Sequence, residues 1–226
     1  MKKFSLILIF SFICATRSWA APAYGTKMPA QNQFFLGGQT YVVLERNLEG
    51  VNGEMESLQH LFLISYGVLD WLSLDLKGGA GDIHQTLSQG NEINYPAFVG
   101  GGYGFRIKFY DNDKTKAVFG FQHISIHPYS VKINGTKNKA VLDDWQLSFL
   151  ASRDFDVVTP YIGGKWSRMD YIHWVEDDRN RVKSDTDQSI GVVVGMDVPV
   201  SEKVWLNLEG QFVDVQAFSG SVNFHF

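Results

Sequence analysis

Cysteine, proline and charged residues are all scarce in this chain of 226 residues. The one cysteine, Cys14, lies near the amino terminus, so the rest of the chain has no disulfide and no thiol for catalysis. Only 19% of the residues are charged and 45% are hydrophobic, which excludes a disordered chain. The net charge is −4, and because an acidic chain lacks the clustered Lys and Arg that bind phosphates, nucleic acid is excluded as a partner.

A long apolar run is also missing. The longest one, residues 4–15, is shorter than the roughly 20 residues that a membrane-spanning helix needs. It follows Lys2-Lys3 and precedes the small residues of Ser18-Trp19-Ala20, which is the pattern of a secretory signal peptide cleaved after Ala20. The sequence therefore predicts a leader over residues 1–20 and one exported domain over residues 21–226.

After the leader, apolar and polar residues alternate with a period of two. Leu74 and Leu76, for example, share one face of a segment whose other face carries Asp75 and Lys77. Since successive side chains of a strand point to opposite sides, such segments are β-strands with one apolar face. Ten segments alternate in this way: 34–45, 58–67, 71–81, 97–110, 117–126, 145–153, 158–167, 188–198, 204–212 and 218–226. The pattern predicts an all-β fold of about ten strands, with eight as the alternative.

The polar faces separate a membrane barrel from a soluble sandwich, which also alternates. They carry glycines and isolated charges of both signs, which a polar lumen can pair. The expected lumen charges are Asp75, Lys77, Arg106, Lys108, Asp197 and Glu209. The apolar faces would then point to lipid.

Connection lengths support the same interpretation. Short connections lie near residues 68–70, 111–116, 154–156 and 199–202, and longer polar ones cover residues 46–57, 82–95, 127–144 and 170–187. Short turns on one rim and long loops on the other are typical of outer-membrane barrels. Because lipid offers no hydrogen-bond partner to an open sheet edge, we expect a closed antiparallel transmembrane β-barrel in the bacterial outer membrane.

The carboxy-terminal strand carries a resemblance to a known group. Residues 222–226, Val-Asn-Phe-His-Phe, are similar to the terminal strand signal of bacterial outer-membrane barrels. Residues 66–72 and 159–164 resemble turn-and-strand segments of small opacity-type barrels. The resemblance implies that the barrel-insertion machinery recognises Phe226, and that outer-membrane lipids and lipopolysaccharide surround the chain. It concerns an architecture and leaves the activity open.

One motif suggests catalysis. His123-Ile124-Ser125 resembles the His-x-Ser of outer-membrane lipid A deacylases, in which the His activates the Ser for attack on an ester. Alternation places both residues on the lipid-facing side near the outer rim, about 7 Å apart along the strand. Asp143 or Asp144 would orient the His from the next strand. The alternative is that His123, Ser125 and His127 are ordinary polar residues of the rim.

The leading functional prediction is a non-enzymatic surface barrel. A lumen of about ten strands is narrow and largely filled, so it serves adhesion or envelope structure and passes at most small solutes, with the long loops available to an extracellular ligand. The alternative is the esterase. Asp143-Asp144 and Asp177-Asp178 are interpreted as solvated loop charge rather than as the paired acids of omptin proteases. No cofactor or metal is predicted, since only His123 and His127 have a ligand-like spacing.

Overall fold

The computed structural model describes residues 22–50, 53–176 and 182–226, so the expected leader and Asp177-Asp178 lie outside the described residues. Among the described residues, no helix has the length and apolar character required to cross a membrane. In the part of the chain that the structure describes, fourteen strands form one antiparallel sheet: β1 (Phe34–Asn47), β2 (Glu54–Leu69), β3 (Leu72–Gly81), β4 (Ile83–Thr86), β5 (Glu92–Tyr95), β6 (Val99–Asp111), β7 (Thr115–His127), β8 (Val131–Ile133), β9 (Thr136–Arg153), β10 (Thr159–Val175), β11 (Val182–Ser184), β12 (Ile190–Pro199), β13 (Val204–Phe212) and β14 (Gln216–His225).

Ten of these strands close into a barrel, in the order β1-β2-β3-β6-β7-β9-β10-β12-β13-β14 and back to β1. Each alternating segment of the sequence overlaps one of them to within two residues at its ends, which confirms the prediction of ten strands. At the closure Phe35 pairs with His225, and the amide of Phe226 donates to the carbonyl of Phe34 at 3.0 Å. The first strand begins and the last strand ends at the rim of the short turns, which we call the periplasmic rim.

The connections at the opposite, outer rim are more regular than the sequence indicates. Residues 82–95 and 127–144 were expected as loops, but they contain β4, β5, β8 and the first part of β9. The β4–β5 hairpin pairs with the outer end of β2, and β11 pairs with β10. These polar segments form ribbons because extended backbone that rises above the rim still needs hydrogen-bond partners.

The faces of the barrel are opposite in polarity to those of a soluble protein. On β3 the outward residues Leu74 and Leu76 are 49% and 56% exposed, whereas the inward Asp75 is 4% exposed. An apolar band around a closed sheet is stable only against hydrocarbon. The chain is therefore a transmembrane β-barrel of the bacterial outer membrane type, with its polar faces inside.

Ion pairs fill part of the lumen. Arg106 donates to both carboxylate oxygens of Asp75, at 2.8 and 2.9 Å, and Arg46 pairs with Asp144 at 2.9 Å. Lys165 pairs with Asp214 at 2.9 Å, with both side chains fully buried. Of the expected lumen charges, five are buried and point inward: Asp75, Lys77, Arg106, Asp197 and Glu209. Lys108 lies near the periplasmic end of β6, opposite the buried Val118, and its side chain is 20% exposed and pairs with Asp111.

Two further features close the lumen, and alternation in the sequence indicates neither. The segment before β1, residues 22–33, rises from the periplasmic rim into the barrel, where Ala23 is fully buried. Towards the outer rim many inward side chains are apolar, and they surround the Arg46–Asp144 pair and Gln59. This apolar layer consists of Tyr41, Val43, Met55, Leu61, Leu63, Ile124, Ile126, Leu142, Met169 and Tyr171.

Candidate active site on the outer face of the barrel

Strands β7 and β9 bring the His-x-Ser motif next to an acidic residue. In their register Ser125 lies opposite Asp143, and His123 lies opposite Trp145. Ile124 and Ile126 are buried in the apolar layer of the lumen. Because side chains alternate along a strand, burying these two isoleucines inside turns His123, Ser125 and the neighbouring His127 towards the outer surface.

The motif lies near the outer edge of the apolar band. Ser125 is eleven residues beyond Lys114 of the periplasmic β6–β7 turn. With a rise of about 3.3 Å per residue and a strand tilt of about 40°, this places Ser125 about 28 Å above that turn. The apolar band of such barrels is about 25 Å tall. Ser125 therefore lies at the level where acyl chains join the headgroups of the outer leaflet.

Four side chains, which we call the Ser125 cluster, meet on this surface: His123, Ser125, His127 and Asp143. The Ser125 hydroxyl donates to Asp143 Oδ1 and lies 2.8 Å from His127 Nε2. His123 Nε2 is 3.8 Å from the same Asp143 oxygen, and its ring packs on Trp145 with centroids 4.1 Å apart. The cluster thus combines a hydroxyl, a carboxylate and two imidazoles at the lipid boundary.

The structure changes the expected roles within the motif. His127, rather than His123, is within hydrogen-bond distance of Ser125, and Asp143 lies between Ser125 and His123. Asp144 takes no part, because it points into the lumen and pairs with Arg46. The interpretation of Asp143-Asp144 as loop charge is wrong, since both residues lie within β9. The sequence signal for His127 was present: it shares a strand face with Ser125, two residues away.

The side chains that flank the cluster differ in size between its β6 side and its β10 side. On the β6 side Ser125 lies beside Gly101, which in turn pairs with Gly78 of β3. A Cβ at Gly78 would meet no atom within 4 Å, so this side is open to the membrane. Without side chains at these positions, a bulky molecule can approach the hydroxyl from this direction.

On the β10 side a groove begins next to Asp143. It has a volume of about 420 Å³ and its wall is mostly aromatic and apolar. Its lining residues are Phe121, Trp145, Gln146, Leu147, Trp166, Arg168 and Asp170. At its outer end Asp170 accepts hydrogen bonds from Arg168 at 3.3 Å and Lys183 at 3.0 Å, and both basic side chains remain more than half exposed. Arg168 also lies 3.8 Å from Asp185, so the groove joins an apolar wall to an end that carries two basic and two acidic side chains.

The described residues contain no group of three His, Cys, Asp or Glu side chains arranged to hold a metal ion.

No protein-family model matches the chain, and no curated protein matches it. Among solved structures, the outer membrane protease OmpT from Escherichia coli matches 91% of this chain over 100% of its own, with 11% identity and a TM-score of 0.46. An outer membrane channel from Pseudomonas putida F1 matches 92% of this chain over 100% of its own, with 9% identity and a TM-score of 0.47. The translocator domain of the autotransporter NalP from Neisseria meningitidis matches 89% of this chain over 90% of its own, with 11% identity and a TM-score of 0.47. At these identities and scores the matches assign neither a family nor an activity to this chain.

Proposed function

We propose that this protein is an outer-membrane hydrolase that cleaves acyl esters of lipids in the outer leaflet, with Ser125 as the nucleophile. The observation that carries the proposal is the position of the Ser125 hydroxyl, which contacts the Asp143 carboxylate and the His127 imidazole on the lipid-facing surface. Nucleophilic ester cleavage needs a base within hydrogen-bond distance of the serine, and His127 meets this requirement. The carboxylate differs from that of a Ser-His-Asp triad, because Asp143 contacts the serine rather than the imidazole.

In this mechanism His127 is the general base. The Ser125 hydroxyl hydrogen turns from Asp143 to His127 Nε2, 2.8 Å away, and Ser125 Oγ attacks the ester carbonyl carbon as the imidazole takes the proton. The C–O bond of the ester then breaks, and the departing alkoxide takes the proton from His127. Water attacks the acyl-serine with help from the same imidazole, which releases the fatty acid and restores Ser125. The Asp143 carboxylate favours the positive imidazolium that forms twice in this cycle.

The surroundings of the cluster support a phosphorylated lipid, such as lipid A, as the substrate. An acyl chain would lie in the groove against Trp145 and Trp166, within the apolar band. Arg168 and Lys183 are more than half exposed at the outer end of the groove, and phosphate groups of the headgroup would compete there with Asp170 for both basic side chains. The ester would then reach Ser125 at the boundary between the two regions.

A small-solute pore has less support from the lumen. Residues 22–27 occupy its periplasmic half, and the apolar layer together with the Arg46–Asp144 pair fills the half towards the outer rim. We therefore expect the purified protein to show no discrete conductance in planar bilayers. Surface attachment through the outer hairpins stays a prediction, and it requires no change in lipid acylation.

The test is mass spectrometry of lipid A from cells with and without the protein, followed by assays of the purified barrel on lipid A in mixed micelles. We expect loss of one ester-linked acyl chain, and Ser125→Ala to lower the rate by at least about a thousandfold. His127→Gln should lower the cleavage rate about a hundredfold or more, because it removes the general base. His123→Gln should lower the rate less. Thr40→Ala is the matched control, since Thr40 is another exposed hydroxyl bonded to a histidine, His60, at 3.0 Å. Unchanged lipid A together with an inactive purified barrel would rule out the hydrolase.

A further inference from the structure

The residues that precede β1 form the inner wall of a pocket at the periplasmic rim. Residues 22–27, which we call the plug, lie in the lumen, where Arg106 donates to the carbonyls of Tyr24 at 3.2 Å and Lys27 at 2.7 Å. On the periplasmic side of the plug lies a pocket of about 210 Å³, bordered by the short β6–β7 and β9–β10 turns. Its charged lining residues are Lys27, Lys114, Lys116, Asp154, Asp156 and Asp197.

A buried carboxylate in this pocket has no counter-ion in direct contact. Asp197 is 4% exposed, and its Oδ1 accepts a hydrogen bond from Asn207 at 2.9 Å. Its Oδ2 is buried and has no hydrogen-bond partner in the part of the chain that the structure describes. Lys27 and Arg106 act on the carboxylate only at longer range. Because a buried charge is unstable unless it is hydrogen-bonded, Oδ2 favours a cationic N–H donor from outside the chain.

Two ammonium groups of the pocket have no carboxylate partner. Lys27 Nζ lies over the Trp205 ring, 4.1 Å from its centroid, and Lys116 is close enough to interact with Lys27 electrostatically. Within the described ranges, no carboxylate oxygen lies within 4.0 Å of either ammonium. The pocket therefore offers donors for an anionic group as well as an acceptor for a cationic one.

We propose that this pocket binds a free α-amino acid with a short apolar side chain from the periplasm. The ligand's ammonium donates to Asp197 Oδ2, and its carboxylate accepts from Lys27 and Lys116. Its side chain lies against Pro199 and Trp205, which also line the pocket.

The charge and the size of the pocket both fit such a ligand. Three lysines and three aspartates line the pocket, so a ligand with one charge of each sign leaves this balance unchanged. A volume of about 210 Å³ equals that of about seven water molecules in the liquid, which is the size of a small amino acid. The proposal is independent of the hydrolase, because the pocket lies at the opposite rim.

The test is saturation-transfer difference NMR of L-leucine, titrated at millimolar concentrations against the full chain refolded in a non-ionic detergent. We expect saturable binding of leucine. Isoamylamine, which lacks the carboxylate, and isocaproate, which lacks the ammonium, should each bind at least about tenfold more weakly. No saturable binding of leucine, or binding of leucine no tighter than that of isoamylamine or isocaproate, would overturn the proposal.

Variants assign the two charges of the ligand to residues. Asp197→Asn is nearly isosteric and should weaken leucine binding at least about tenfold, while isocaproate binding stays unchanged. Lys116→Gln should weaken the binding of leucine and isocaproate and leave that of isoamylamine unchanged. The matched controls are Glu202→Gln and Lys203→Gln, exposed charges of the β12–β13 turn outside the pocket, which should not alter leucine binding. Heat-modifiable migration on gels checks that each variant forms the barrel, and unaltered leucine binding by folded Asp197→Asn and Lys116→Gln would refute the site.

Discussion

The pair of Arg106 and Asp75 offers a quantitative test of how the lumen is stabilised. Their side chains are 1% and 5% exposed, and Arg106 also donates to Ser65 at 3.0 Å. Replacing Arg106 with Gln leaves the Asp75 carboxylate buried without its partner and removes two bonds to the plug. Breaking a buried pair from one side costs about 3–5 kcal/mol of unfolding free energy.

The double variant separates this penalty from lost packing. Asp75→Asn should cost about 3–5 kcal/mol for the same reason, but Asp75→Asn with Arg106→Gln leaves no bare charge. We therefore expect the double variant to be more stable than the sum of the single losses predicts, with a coupling energy of about 2–3 kcal/mol. Urea unfolding of the refolded barrel, followed by tryptophan fluorescence, gives the free energy of unfolding of the unmodified chain, the two single variants and the double variant.

The control is a pair at the periplasmic rim. Lys114 and Asp156 are 4.0 Å apart and their side chains are 60% and 86% exposed, so Lys114→Gln should leave the unfolding free energy unchanged. The reasoning is refuted if Arg106→Gln costs less than about 1 kcal/mol, or if the two single losses add in the double variant.

Three other predictions follow from the faces of single strands. Asp144→Ala should lower the free energy of unfolding in urea by about 3–5 kcal/mol, because it breaks an ion pair in the lumen. Asp143→Ala should leave that free energy unchanged and abolish ester cleavage. Equal losses of stability in the two variants would contradict this assignment. Gly79→Ala should lower the free energy of unfolding by about 1–3 kcal/mol, because the added Cβ would clash with backbone atoms, whereas Gly78→Ala should leave it unchanged. Indistinguishable unfolding curves of the two variants would argue against the register. Phe226→Ala should reduce the amount of assembled barrel in cells without altering refolding of the purified chain; normal assembly on heat-modifiable gels would remove its role as an insertion signal.

Sequence reasoning was strongest where the physical signal is local. A strand that separates lipid from a polar lumen needs alternating side chains, and this period of two lies in each segment by itself. It identified β3, for example, and the outward direction of Leu74 and Leu76. Closure also followed without tertiary information, because unpaired backbone is unstable in hydrocarbon.

The candidate site was predictable only in part. Alternation shows that Asp143 and Asp144 face opposite sides, but only the register of β7 against β9 decides which of them lies opposite Ser125. A slip of one residue would exchange their roles, since side chains on a strand have a period of two. Alternation places His123 and His127 on the face of Ser125, and only the structure shows that His127 is the one within hydrogen-bond distance of it.

The amino-acid sequence by itself determined the strands, their faces, the closed barrel and the face that carries His123 and Ser125. The tertiary structure alone decided what fills the lumen, namely residues 22–27 in one half and the apolar layer in the other, and which acid meets the serine. The physical reason is range: alternation acts between neighbours in the chain, whereas these contacts join residues up to 199 positions apart, as Tyr24 and Asn223 are.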